Sequence, residues 1–176
     1  KGCTFGWFFT YVPVGSEPNL DLMATPEQRA KMYDAVRSFR NTKPIFLVDF
    51  WNDGEFSLGC IAGGRRYLHI NAAGDVEPCA FIHYATDNIN DVSLKQALAS
   101  PLMRAYQKRQ PFNENMLRPC PLIDNPEKLV EIIQESGARS TQLGEHAVEP
   151  EVLADKIQKE YTQHWAARAD ELWQSN

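Results

Sequence analysis

Residues 59–83 read "GCIAGGRRYLHINAAGDVEPCAFIH", and the cysteines in them, Cys60 and Cys79, are separated as C-x13-G-x4-C. No CxxC pair announces a metal. A short antiparallel ribbon that turns at Gly74 nevertheless carries Cys79 back toward the beginning of the first strand, so the two thiols can approach one point. Cys120 lies in "RPCPLID", stiffened by prolines on both sides, and can supply a third thiolate. Three sulfur donors from a hairpin and a rigid loop suit a soft metal centre, either zinc or an iron–sulfur cluster. Free cysteine is among the most buried residue types, so any one of the three read alone is a small core residue. Their joint placement beside prolines favours a site. Cys3 is different, because it precedes Pro13 by about ten extended residues, roughly 30 Å, and reads as a thiol outside the ligand set.

The chain has 176 residues, 43% of them hydrophobic and 23% charged, with a net charge of −5. It has no apolar run of the roughly 18–20 residues that a membrane span needs, and its basic residues are scattered, which excludes membrane and nucleic acid as favoured partners. Four cysteines without a secretory segment read as cytoplasmic thiols or metal ligands, not as disulfides. The start at Lys1, without methionine, reads as a chain entered partway through.

Several elements must position these groups. Residues 5–12, "FGWFFTYV", predict a strand buried on both faces, as in a parallel sheet. Thr25, Pro26 and Gln28 form a capping box with a first-turn proline, opening a helix to about Arg40 whose apolar face is Met32, Val36 and Phe39, with Tyr33 beside them. Residues 44–51, "PIFLVDFW", predict a second buried strand and so a βαβ unit. Residues 66–71 and 76–82 form the hairpin around Gly74-Asp75. A helix starts at Ser93 and restarts at Ser100-Pro101, with Tyr106 on its apolar face. Residues 110–126, holding four prolines, form an irregular loop that needs an anchor. A helix from Asn125 stops at Gly137. The last helix, residues 150–173, carries the stripe Leu153, Ile157, Tyr161, Trp165, Ala169 and Leu172.

The order of "FFTYVPVG", "TPEQ", "IFLVDF" and C-x13-G-x4-C with "INAAGDVEPC", followed by "DNINDVSLKQALASPLMRAYQKRQ" and a lone later cysteine, resembles the C-terminal part of radical SAM enzymes with a SPASM or twitch extension. The resemblance implies an α/β and α+β fold. Residues 1–52 would be the terminal βαβ portion of a partial TIM barrel. Residues 53–126 would be a twitch-like auxiliary cluster domain with a β-hairpin plus helices. Residues 127–176 would be helices packing on either. It implies an auxiliary [4Fe–4S] cluster held by Cys60, Cys79 and Cys120, used for electron transfer or substrate anchoring in an oxidoreductase or maturase. The second "CxxCxxxxxC" segment of a full SPASM domain is absent, which points to the single-cluster form. So is the CxxxCxxC loop, so this chain alone does not cleave S-adenosylmethionine. That cofactor and a second [4Fe–4S] cluster belong to the full-length enzyme, with its missing N-terminal barrel portion and, as one common class, a peptide or protein substrate.

For the fourth cluster position the resemblance points to "NDGEFS" before Cys60, where Asp53 or Glu55 offers oxygen. His83, four residues past Cys79, offers nitrogen, and an open iron is the other choice. Barrel enzymes place their sites at the C-terminal ends of strands, which makes Tyr11 a candidate cofactor-binding residue. Arg65 and Arg66 read either as partners of an anionic substrate or cluster, or as a solvated pair. The rival reading of the whole is a non-enzymatic, zinc-stabilised interaction module.

Overall fold

A computed structural model describes residues 2–15, 17–142 and 149–175. Strands β1 (Phe5–Phe8) and β2 (Phe46–Asp49) pair in parallel, Phe5 opposite Phe46 and Trp7 opposite Val48. Between them in the chain runs α1 (Pro26–Thr42), with the expected capping box: Gln28 N–H donates to Thr25 Oγ1, and Thr25 N–H to Gln28 Oε1. Two expectations change here. The first strand stops at Phe8 instead of Val12, and it is not buried, since Phe5, Trp7 and Phe9 are 49, 53 and 48% exposed. The cause is the sheet itself. A parallel strand is covered when the sheet has layers on both faces, and here α1 packs on β2 while the other face carries a bare aromatic ladder. Phe5 stacks on Phe46 at 5.8 Å, and Phe9 lies 5.0 Å from Trp7 and 4.9 Å from Phe50.

The second change is the buried face of α1. Arg29, Ala30, Tyr33 and Val36 point inward, while Phe39 is 45% exposed. The inward face is set by a charge. The Arg29 guanidinium is wholly buried and uses all five of its N–H donors. Nε donates to Asn52 Oδ1 at 3.1 Å, Nη1 to Asp124 Oδ1 at 2.7 Å and Tyr161 Oη at 2.9 Å, and Nη2 to the carbonyls of Trp51 at 3.2 Å and Leu117 at 2.8 Å. Its flat face lies 4.2 Å from the Trp165 ring centre, a cation–π contact. Burial opposes the charge, but Asp124 and Tyr161 outweigh it and hold the pKa above the ordinary arginine range.

After β2 comes one helical turn, α2 (Gly54–Ser57), and then the hairpin β3 (His69–Ile70) and β4 (Val76–Glu77), antiparallel with His69 opposite Glu77. Gly74 turns it at φ +90°, where an added Cβ would meet Asn90 Nδ2 at 2.6 Å and Asn88 Oδ1 at 2.7 Å. β5 (Tyr84–Ala85) pairs with β6 (Arg139–Ser140). Ser93 caps α3 (Leu94–Ala97) and Ser100 caps α4 (Pro101–Lys108). α5 (Pro126–Ser136) ends at Gly137, φ +64°. The last helical stretch is not one regular helix: α6 (Pro150–Ile157) passes through a π-helical turn, Gln158–Thr162, into α7 (Gln163–Gln174). Its stripe explains the turn. Steps of four residues overshoot an α-helical turn by about 40° each, and a wider turn midway restores Leu153, Ile157, Tyr161, Trp165, Ala169 and Leu172 to one buried face.

The main core runs from Val12 and Tyr33 through Ile82, Tyr106 and Leu117 to Trp165, and a second, smaller cluster holds Val76, Ala97 and Met103. No helix among the described residues is long and apolar enough to cross a membrane. Arg29→Leu strands Asp124 as a buried charge without its cation, and a loss of about 3–5 kcal/mol of stability is expected. The measurement is the urea midpoint, and an unchanged midpoint would show that the network contributes nothing.

Candidate metal centre

The hairpin alone does not bring Cys60 to Cys79. Its ladder ends at His69, and the preceding residues fold into a tight loop, with the N–H groups of Arg66 and Tyr67 both donating to Ile61 O. At the tip, Gly63 N–H donates to Pro78 O at 3.0 Å, which sets the Cys60 loop against the chain entering Cys79. Arg65 fastens the loop from within, donating through Nε to Cys60 O at 2.9 Å and through Nη2 to Ser57 O at 2.7 Å. Gln110 Nε2 closes it from the other side, 3.0 Å from Cys60 O.

Cys79 is the most enclosed of the three thiols, 8% exposed, and a bridge to Ile82 turns the chain directly after it. Cys120 is fixed by a carboxylate. Asp124 Oδ2 accepts from Cys120 N–H at 3.0 Å, and Cys120 O accepts from the N–H groups of Asp124 and Asn125 at 3.1 and 3.0 Å. Since Asp124 is also the partner of Arg29, α1 sets where Cys120 sits. Leu122 N–H points at Cys120 Sγ, 3.4 Å away.

Cys60, Cys79, Cys120 and Tyr106 line one cavity of about 680 Å³, walled by Phe50, Trp51 and Phe81, with Arg66 also on its lining. The Cys60 Sγ to Tyr106 Oη distance is 3.3 Å. Burial pushes all three thiols up: Cys79 to about 12, Cys60 above its usual range and Cys120 well above it. Mutual proximity adds to this, since Cys60 raises both Cys79 and Cys120, and Asp124 raises Cys120 further. The site therefore keeps its protons until a cation compensates the thiolates. Among the described residues, no three His, Cys, Asp or Glu side chains gather closely enough to hold a single metal ion. The three thiols surround a roomy cavity instead. That arrangement fits a cluster, which takes each thiolate on a different iron, better than one ion with sulfur at about 2.3 Å.

The other sequence candidates are placed elsewhere or engaged. His83 Nδ1 faces Glu77 Oε1 at 3.7 Å and lines a small crevice with Pro13, Val14 and Tyr84, not the thiol cavity. Asp53 lies on the cavity lining, but its carboxylate is taken by Arg40, with Nη1 at 2.9 Å, and by Asp49 N–H at 2.8 Å. Glu55 is paired with Arg37. The Tyr11 hydroxyl accepts from Asn19 N–H at 3.2 Å and is not on the cavity lining. Cys3 is exposed and donates to Phe5 O. Tyr106, read from sequence as one apolar position among several, is a site residue that periodicity conceals.

Residues 60–121 match the family model of SPASM, an iron–sulfur cluster-binding domain. No curated protein and no solved structure matches the chain.

In the metal-free protein at pH 8, iodoacetamide is expected to label exposed Cys3 first and Cys60, Cys79 and Cys120 far more slowly. Equal rates would contradict the burial. The folded chain holds the Cys79 proton up to about pH 12, whereas an unfolded thiol titrates near about 8.5. The contribution to stability is therefore complete below about pH 8.5 and is lost as pH rises toward about 12, which unfolding midpoints across that range will show.

Proposed function

We propose, taking the SPASM match of residues 60–121 as the premise, that this chain is the auxiliary-cluster region of a radical SAM oxidoreductase or maturase. In this reading Cys60, Cys79 and Cys120 hold one [4Fe–4S] cluster. The observation that carries it is the meeting of three thiols, Cys79 buried and Cys60 and Cys120 half-buried, on the lining of one cavity inside the matched segment. When bound, the cluster supplies an electron reservoir for a substrate radical, or an open iron that anchors the substrate. The residues of the chain do the rest. Phe50, Trp51 and Phe81 keep the cavity wall apolar, which strengthens every charge interaction inside it, and Arg66 brings a positive charge to a lining that otherwise gains thiolates.

The parallel strands and the uncovered aromatic ladder support reading residues 1–52 as the closing part of a partial TIM barrel. A two-stranded parallel pair with an exposed apolar face is stable only when further strands complete the layer. Those strands, together with the CxxxCxxC loop and bound S-adenosylmethionine, belong to the remainder of the enzyme in this reading. Its substrate is a peptide or protein and its compartment the cytoplasm, where thiols stay reduced.

Anaerobic purification tests the ligand assignment. The expected result is iron and sulfide in equal amounts with broad visible absorption, lost in Cys60→Ser, Cys79→Ser and Cys120→Ser and kept in Cys3→Ser. A colourless protein with one zinc per chain would replace this reading with that of a structural module.

A further inference from the structure

Tyr106 stands on the lining of the thiol cavity beside Cys60. It is fully buried, and its hydroxyl has a single hydrogen-bond partner among the described residues, Cys60 Sγ at 3.3 Å. The ring has no freedom to turn away. Phe112 meets it edge-on, with centroids 4.9 Å apart and planes at 87°, and Gly63 lies so close that an added Cβ would come 2.1 Å from Cδ1 and 2.7 Å from Cγ. Gly63 is itself held by Pro78 O and by Gln107 Nε2, which donates to Gly63 O at 2.7 Å. The hydroxyl is thus aimed at the thiol by packing on both sides.

In the metal-free chain either atom of the pair can donate. Once Cys60 coordinates iron its sulfur has no proton, so the only donor left is the phenol. A tyrosine hydroxyl, with an ordinary pKa of about 10, carries its proton at neutral pH.

We infer that Tyr106 donates its hydroxyl hydrogen to cluster-bound Cys60 and, by withdrawing negative charge from that sulfur, raises the reduction potential of the cluster. This rests on the cluster-binding reading above and assigns within it a positioning and tuning role to a residue that is not a ligand. The direction follows from charge: reduction adds an electron to the cluster and its thiolates, and a hydrogen bond to sulfur favours the more negative state.

Tyr106→Phe removes one oxygen and leaves the ring contacts with Phe112 and Gly63 in place. The experiment is an anaerobic redox titration of the holoprotein followed by electron paramagnetic resonance. The expected result is unchanged iron and sulfide content with the midpoint potential shifted to a lower value, and an unchanged midpoint overturns the inference. Should the variant lose its cluster, wild-type protein labelled with phenol-17O tyrosine decides the matter. A weak hyperfine coupling of the oxygen to the reduced cluster supports donation, whereas a strong coupling means direct ligation and no coupling means no contact, and either of these overturns it. A wild-type protein that binds no iron and sulfide rejects the cluster reading itself, and this inference with it.

Discussion

The molecule is organised around a buried guanidinium. Arg29, near the start of α1, touches the residues that follow β2, the proline-rich loop and the C-terminal helical stretch together. Each of its five donors ends on an oxygen from a different residue, so none of these elements can shift without leaving a charge unsatisfied in a dry interior. The proline-rich loop has little regular structure of its own, and this is its anchor. Through Asp124 the same pair reaches Cys120, so the third thiol is placed by a network that exists before any metal arrives.

That arrangement shapes the chemistry of the site. Three thiols in an apolar cavity are poor acids, and loading requires that protons leave as iron enters. The cost of burying thiolates is offset by the positive charge of the incoming centre, by N–H groups such as that of Leu122, and by Arg66 on the lining. Of the carboxylates close to the cavity, Asp53 and Glu55 are paired with arginines and Asp49 is held by hydrogen bonds from Asn52 and the Trp51 N–H, while the three thiols exchange protons for iron.

Much of this was legible from residue types and spacing. Local chemistry fixes the capping box at Thr25 and Gln28, the serine caps of α3 and α4, the turn at Gly74 and the stop at Gly137, and each is found where its residues stand. The three cysteines were visible as a constellation because their spacing is set by a hairpin and a stiff loop. What was not legible depends on partners distant in the chain. The role of Arg29 has no local signal because its partner Asp124 is 95 positions away. Tyr106 looked like core because a phenol at helical spacing carries no mark of what its hydroxyl meets. The exposure of Phe5, Trp7 and Phe9 was missed because apolarity reports the need for a neighbour, not its presence. The shift of the α1 face away from Phe39 has the same origin as the Arg29 network.

The π-helical turn at Gln158–Thr162 carries a different kind of information. A π turn is what a helix adopts when it holds one residue more than an α-helical path between the same two ends requires. Both flanks keep their buried faces, and the surplus is confined to the segment that presents the Tyr161 hydroxyl to Arg29 and lets Thr162 Oγ1 reach Ile123 O at 2.8 Å. The helix therefore accommodates one surplus residue without disturbing the packing on either side. Deleting that residue would leave a straight helix of acceptable pattern that no longer delivers those two side chains to Arg29 and Ile123.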